Sequence, residues 1–547
     1  FFSPDELADG WRLACQMSVC DDTIVSIPDS SLLADSHQIL AEAQAESAAD
    51  VLPTVRKQYV QLTAPSLEDD APDLIRLQEA TGPVEADLDT LRRLGGLLRE
   101  CEWSGTAVLS DHRLMDFEPG DTTAECYGAA FDIGTTTLVG SLLDLNTGDE
   151  AAIASAINPQ TSLGDDVLSR IVYHQSSADG AAELRRTIIS AVDDLVSQLC
   201  TQASVAREQI YELVFTGNTT MEHLLCGLDV SHLGQVPFTP AHGHGLLVPA
   251  AQLGLDVHRQ AGAYVFPVIG GFVGGDAVAC TVAAKLSRAS GPTLMVDIGT
   301  NGEIVLAHDG KLWAASTAAG PAFEGARISC GMRATHGAIE KVVIGSDVEV
   351  NVIGNTPPVG LCGSGLIDLA AGLLNAGILS PMGNLLDGDD LPADLPTALR
   401  TRIRNWEDNQ REFLIAHGPQ GQRITLTQRD VRELQLGTGA IRAGVNILLK
   451  RASLAASDLE EVLIAGGFGS FIRRSMAQRI GLLPAEIPHS RIKYIGNAAL
   501  NGARWALLST RVRAEAETVA RSAQHVELSQ DFEFQSEFAQ AMIFPEP

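Results

Sequence analysis

Positive charge is scarce in this chain. Its 38 Lys and Arg stand against 69 Asp and Glu, leaving a formal charge of −31 over 547 residues. So acidic a surface repels phosphate backbones and anionic bilayers, which argues against nucleic acid and membrane as partners. A salt-adapted surface has the same balance, and a basic or neutral protein partner stays open. Long apolar runs are missing too. The nearest candidate, Ala261 to Ala284, is broken by five glycines, a proline and Asp276. It falls short of the roughly 20 uninterrupted apolar residues of a membrane span and reads as buried core. The nine cysteines (Cys15, Cys20, Cys101, Cys126, Cys200, Cys226, Cys280, Cys330 and Cys362) are odd in number and irregular in spacing. With no disulfide framework and no signal peptide, a reducing cytoplasm is expected. There is no Gly-x-x-x-x-Gly-Lys-Ser/Thr segment, which excludes a P-loop ATPase. His223, His242, His244 and His336 show no metal-ligand spacing, and no serine elbow or Cys–His arrangement stands out.

Hydrophobic residues at 45% and charged residues at 20% give the balance of a globular protein of several domains. The chain opens on Phe1 inside a pattern, so an N-terminal piece is expected to be missing. Residues 1–30 read as short strands in a turn-rich segment, and residues 31–50 as a connector. Residues 51–124 read as a small α/β domain: Tyr59–Thr63 has strand character, and Leu88, Leu91, Leu94 and Leu98 recur at helical spacing. From 125 to 547, Gly-punctuated strands alternate with helices.

One design occurs twice in that long region. Asp132-Ile133-Gly134-Thr135-Thr136-Thr137 ends an apolar strand and turns into a returning one. Asp297-Ile298-Gly299-Thr300-Asn301 does the same 165 residues later. Glycine lets backbone approach a phosphate closely, and successive N–H groups and hydroxyls in the turn can point at its oxygens. Gly134, Thr135, Thr136, Thr137, Gly299, Thr300 and Asn301 are therefore the candidate phosphate cradle. Asp132 and Asp297, at the strand ends, suit Mg²⁺ held through water, or orientation of an attacking water. Glu303, just beyond the second turn, and Asp166 are further candidate cleft carboxylates. Either turn alone reads equally as an ordinary hairpin; two copies in matching contexts favour a clamp formed by two similar subdomains. A third element, Leu463-Ile464-Ala465-Gly466-Gly467-Phe468-Gly469-Ser470, runs an apolar strand into a Gly-Gly turn opening a helix. There Gly466 and Gly467 would let an adenosine lie against the backbone.

In this order the three elements resemble the actin/sugar-kinase/heat-shock-chaperone ATPases. That resemblance implies duplicated α/β subdomains around a central cleft, joined by two helices, here Gly274-Gly275-Asp276-Ala277 and Gly496-Asn497 through Gly502-Ala503. Further segments narrow it: Asn158-Pro159-Gln160 with Gly164 to Ile171; Thr216-Gly217-Asn218-Thr219-Thr220-Met221; Ala319-Gly320-Pro321 to Ala326; Ser329-Cys330-Gly331-Met332; and Gly360-Leu361-Cys362-Gly363-Ser364-Gly365. Together these resemble the RACo-type reductive activators of corrinoid proteins, closely over 127–547. The likeness is looser over 51–77, which resembles that family's middle domain. The resemblance implies an ATPase coupled to one-electron reduction of a corrinoid protein of a methyltransferase system, Co(II) to Co(I). It implies ATP, Mg²⁺, a homodimer and an N-terminal ferredoxin domain with a [2Fe–2S] cluster. Arg12-Leu13-Ala14-Cys15 is similar to the segment holding the fourth cluster ligand, so Cys15 is the candidate iron ligand. The first three ligands have no counterpart here. Cys20, Cys330 and Cys362 are expected to be structural. Two other readings stay open at this point: an activator of another low-potential reductase, such as an acyl-CoA dehydratase, and an ATP-gated, chaperone-like binding module.

Overall fold

The computed structural model describes residues 51–405, 411–467 and 472–546. The expected ferredoxin segment (1–30, with Cys15 and Cys20), the connector (31–50) and residues 468–471 after the Gly-Gly turn lie outside the described residues.

Strands β1 (Val55–Gln61), β2 (Glu85–Ala86), β3 (Ser104–Ser110) and β4 (Arg113–Pro119) form a sheet in the order β1-β3-β4-β2. Helices α1 (Asp73–Thr81) and α2 (Leu88–Glu100) pack on it through Leu77, Leu94 and Leu98. The leucine stripe of α2 does mark a helix, but only half of it is core: Leu94 and Leu98 are buried, whereas Leu88 and Leu91 are exposed. Lys57 ties this sheet together by pairing with Glu118 at 2.7 Å, and its Nζ lies 4.6 Å from the Tyr211 ring of the next unit.

Two larger sheets follow with one strand plan. The first has β5 (Tyr127–Ile133), β6 (Thr137–Asp144), β7 (Glu150–Ile157), β8 (Ile210–Gly217), β9 (Leu246–Pro249) and β10 (Gly262–Val265), ordered β7-β6-β5-β8-β10-β9. Helices α3 (Val167–Ser176), α4 (Gly180–Ala203), α5 (Thr219–Cys226) and α6 (Gly275–Ala283) go with it. The second opens with β11 (Thr293–Ile298), β12 (Gly302–His308) and β13 (Lys311–Thr317). Two three-stranded sheets interrupt it: β14 (Ala338–Ile344), β15 (Val348–Val352) and β16 (Gly360–Leu361), then β17 (Ile403–Asn405), β18 (Arg411–His417) and β19 (Arg423–Thr427). It closes with β20 (Glu461–Ala465), β21 (Ile492–Gly496) and β22 (Gln524–His525), ordered β21-β20-β11-β12-β13-β22. Helices α7 (Gly363–Asn375), α8 (Gln428–Arg451) and α9 (Ala498–Leu508) belong to this half.

In both sheets an antiparallel meander is extended by two parallel strands, β5-β8-β10 in one and β11-β20-β21 in the other. β5 and β11 sit at the centre, covered from both sides, which is why they read as near-continuous apolar runs. Helix α4 shows the complementary pattern: Leu184, Ile188, Ala191, Val192, Leu195 and Leu199 recur at helical spacing and are buried against the first sheet.

Helices α6 and α9 each leave the end of a parallel strand and meet between the sheets. Ala277, Val278 and Val282 of α6 share one core with Ala499, Ala503 and Ala506 of α9, and with Val214, Met295 and Leu463 of the two sheets. Small residues let the two helices cross closely. A Cβ on Gly502 would lie 2.2 Å from the carbonyl oxygen of Ala279, so a side chain there forces the helices apart. Gly502→Val is accordingly expected to cost ~1–3 kcal/mol and to lower the thermal midpoint. Scanning calorimetry on the variant checks this, and an unchanged midpoint contradicts so close a crossing.

Candidate functional site

The first turn is held from behind. Asn158 donates through Nδ2 to the Gly134 carbonyl and through its backbone N–H to that of Thr136, both at 2.9 Å. Arg170 donates to the Thr135 carbonyl at 2.5 Å, and Asn218 Nδ2 reaches Thr135 Oγ1 at 2.9 Å. With the carbonyls so engaged, the N–H groups of Gly134, Thr135 and Thr136 donate to no protein acceptor among the described residues. In the second turn Gly299 donates to Asn301 O at 3.0 Å, while the N–H groups of Thr300 and Asn301 are likewise unengaged. Successive free donors in a turn make an anion-binding concavity.

The two turns meet. Thr136 Oγ1 and Thr300 Oγ1 are 2.8 Å apart, both residues buried, and Thr300 also donates to Glu324 at 2.9 Å. Nearby, Arg327 of the second half pairs with Asp165 at 2.8 Å and Asp166 at 3.2 Å. Asp166, expected as a cleft carboxylate, is also the N-cap of α3 and accepts from Ser169 N at 2.8 Å. Its chemistry is spent on a helix end and an ion pair. Thr137 is exposed at the start of β6.

Behind the turns lie the acids. Asp132 and Asp297 occupy matching places, each one residue from the end of its strand. Each is gripped by a connecting helix from the opposite half. Asn497, the N-cap of α9, donates to Asp132 at 3.0 Å, and the Cys280 thiol of α6 lies 3.4 Å from Asp297. Glu303 sits opposite Asp297 across the β11–β12 ladder and accepts a long 3.4 Å bond from Ser316. Asp276 joins them from the first turn of α6.

Among the described residues none of these four carboxylates has a basic side chain within ion-pair distance. Asp132, Asp276 and Asp297 stay partly accessible, yet the surrounding protein desolvates them. Burial pushes Asp132 up to about 7, opposed by the Asn497 bond, and Asp297 up to about 6, opposed by the Cys280 thiol. Burial first, then neighbouring acids, push Asp276 and Glu303 upward. Among the described residues no three His, Cys, Asp or Glu side chains stand close enough to hold a metal by themselves. The donor set, all carboxylate oxygen and short of positive charge, fits Mg²⁺ carried with its water and phosphate ligands rather than a protein cage.

The Gly-Gly turn adds a constraint that sequence reasoning missed. Gly466 has φ +94°, and a Cβ there would stand 2.7 Å from Ile298 O and 2.8 Å from Asp297 Oδ1. Glycine is thus required to bring this turn against the second aspartate. Around Gly467 the space is open to 4 Å.

Three more residues of the site went unassigned: Asp276 and Asn497, read only as parts of the two joining helices, and Arg170, quoted only inside a motif. Asp276 had one available signal, a lone carboxylate in an otherwise apolar, glycine-broken run. Cys330 and Cys362 behave as packing residues. Cys330 Sγ accepts from Thr425 N at 3.5 Å, Cys362 Sγ contacts Ile339 O at 3.3 Å, and both are free thiols.

Three family models match in succession: the RACo linker region over 44–124, the RACo middle region over 127–289, and the C-terminal domain of RACo, the ASKHA domain, over 291–547. The chain belongs to the RACo family. Residues 51–124, whose stretch 51–77 is likened above to the family's middle domain, fall in the region the family calls its linker. The family's middle and C-terminal regions each contain one of the two large sheets. Among relatives, the corrinoid activation enzyme RamQ of Eubacterium limosum is 38% identical over 442 residues, 80% of this chain and 74% of RamQ. The [Co(II) methylated amine-specific corrinoid protein] reductase of Methanosarcina barkeri is 23% identical over 410 residues, 69% of either chain. A solved reductive activator for corrinoid, iron-sulfur protein superposes with a TM-score of 0.84 at 35% identity, covering 100% of this chain and 89% of that one.

Carboxyls with raised folded-state affinity hold their protons beyond the unfolded value near 4, so the folded state binds more protons between about pH 4 and 7. Stability of the nucleotide-free protein is therefore expected to fall as pH rises through that window. Asp132→Asn is expected to flatten the fall, because it removes one of the charges. Thermal melts from pH 5 to 8 check this; a wild-type curve that rises over the window contradicts the buried, unpaired acids.

Proposed function

We propose that this RACo-family chain binds Mg·ATP between its two halves, hydrolyses it slowly, and couples that cycle to reductive activation of a corrinoid protein, taking Co(II) to Co(I). The observation that carries the reading is the meeting of two matched turns, each with free N–H donors and each backed by an aspartate held from the opposite half. The printed functions of the relatives support the choice of acceptor.

The chemistry follows from the donors. Gly134, Thr135, Thr136, Thr137, Gly299, Thr300 and Asn301 cradle the phosphates, which on entering replace the Thr136–Thr300 contact. Asp132 and Asp297 hold the water shell of Mg²⁺ and orient the attacking water, and Glu303 supports Asp297 from the neighbouring strand. Mg²⁺, when bound, neutralises charge on the phosphates. Asp276 shares the acidic pocket, and its raised proton affinity suits it to receive the proton that water loses. Gly466 and Gly467 seat the adenosine. Since each aspartate is tied to the other half, charge arriving at one turn is felt across the junction. Differential binding to two states of the clamp is what lets ATP bias an electron-transfer partner. A coupling of ~5 kcal/mol corresponds to roughly 200 mV for one electron.

The finer parts of the proposal concern the whole protein. A [2Fe–2S] cluster in a ferredoxin domain, with Cys15 as one ligand, supplies single electrons. The activator works as a cytoplasmic homodimer on the corrinoid protein of a methyltransferase system. Among the described residues no helix is long and apolar enough to cross a membrane.

The test uses the protein with its ferredoxin domain, a reductant, Mg·ATP and the corrinoid acceptor. The Co(I) absorption band is expected to grow with ATP and to stay near baseline without it. Asp297→Ala is expected to abolish hydrolysis and Co(I) formation while the fold persists. Equal Co(I) with and without ATP sinks the coupling, and failure of the wild type to bind ATP sinks the clamp.

A further inference from the structure

Arg170 lies in the segment Gly164 to Ile171, which no role above absorbs. Its side chain is fully buried, 0% exposed, on the inner face of α3. A guanidinium so placed is ordinarily paired with a carboxylate, because burying an unpaired charge is costly. Here no carboxylate lies within ion-pair distance among the described residues. Its donors go to neutral acceptors instead: Nε to Gly164 O at 3.0 Å, one terminal nitrogen to Gln160 Oε1 at 3.2 Å and Met221 Sδ at 2.9 Å, the other to Thr135 O at 2.5 Å. The nearest acids are otherwise engaged. Asp165 and Asp166 pair with Arg327, and Glu324 accepts from Thr300. Desolvation pulls the guanidinium down to about 10, with those three acids opposing.

A buried cation with only neutral groups as direct acceptors thus bonds the carbonyl in the middle of the first phosphate turn. That carbonyl belongs to the peptide whose N–H is that of Thr136. Pulling on the oxygen polarises the whole unit and strengthens the N–H as a donor toward the cleft. The turn itself offers only neutral donors, and the pocket behind it is acidic. Arg170 brings a positive charge directly onto that turn.

We infer that Arg170 is a positioning residue whose buried charge, transmitted through the Thr135–Thr136 peptide, gives the cleft its preference for polyphosphate over monophosphate nucleotides. The inference rests on the clamp reading. An Arg170 that only shaped the turn would lose its effect in Arg170→Lys as fully as in Arg170→Gln, whereas a charge behind the phosphate turn survives the lysine and acts in proportion to the charge the nucleotide brings.

The experiment compares ATP, ADP and AMP affinities by titration calorimetry, with Mg²⁺, for the wild type, Arg170→Gln and Arg170→Lys, each verified as folded by its melting curve. A charged hydrogen bond lost at this site is expected to weaken ATP by roughly 10- to 50-fold in Arg170→Gln. AMP is expected to change less than about threefold, because it lacks the outer phosphates. Arg170→Lys keeps the charge and should retain most of the ATP preference. Equal weakening of all three nucleotides, unchanged ATP affinity in folded Arg170→Gln, or loss of the preference in folded Arg170→Lys overturns the inference. Failure of the wild type to bind ATP instead overturns the clamp reading on which it stands.

Discussion

Four carboxylates converge where the two halves join, and no basic side chain among the described residues pairs with any of them. Asp132 and Asp297 come from matching strand ends, Glu303 from the strand beside Asp297, and Asp276 from the helix that leaves the first sheet. Desolvated negative charge without a partner costs several kcal/mol per ion, and part of that cost is avoided by holding protons. The arrangement favours whatever brings positive charge into the cleft. It also makes the junction sensitive to that event, because the bonds to Asp132 and Asp297 come from helices rooted in the opposite halves.

Duplication explains why so few contacts suffice. The two sheets share the order and direction of five of their six strands, so their first hairpin turns end up facing each other, and the connecting helices cross behind them. One hydrophobic core runs through the crossing and into both sheets. The halves are therefore joined by a close apolar crossing, with Gly502 packed on Ala279. Across the cleft, by contrast, the Thr136–Thr300 bond and the pairs of Arg327 with Asp165 and Asp166 are polar contacts.

Much of this was legible in the residues. The twice-used Asp-Ile-Gly-Thr turn located both strand ends, and alternation and glycine placed the meanders that follow. The helix Gly180–Ala203 follows from its own residues, because those it buries recur at the helix period. What stayed hidden depends on contacts between distant segments. Nothing local to Asn497 reveals that its amide reaches Asp132, 365 residues away. Asp276 lay inside a run whose small residues explained themselves by packing, and its neighbours Asp132 and Asp297 come from two other strands. Asp166 looked available only because the Arg327 that occupies it is 161 residues downstream. Leu88 and Leu91 share the period of Leu94 and Leu98 but are exposed, because the first turn of α2 buries Thr90 against the sheet instead, and spacing does not carry that information.

The central claim is that the cleft's acids hold protons until a cation arrives. Titrating Mg·ATP into the protein at pH 7 in buffers of differing ionisation enthalpy measures the protons exchanged on binding. The account predicts net release of about one proton, falling toward zero at higher pH as the carboxyls ionise in advance. Binding with no proton exchange, or with uptake, at pH 7 would contradict it.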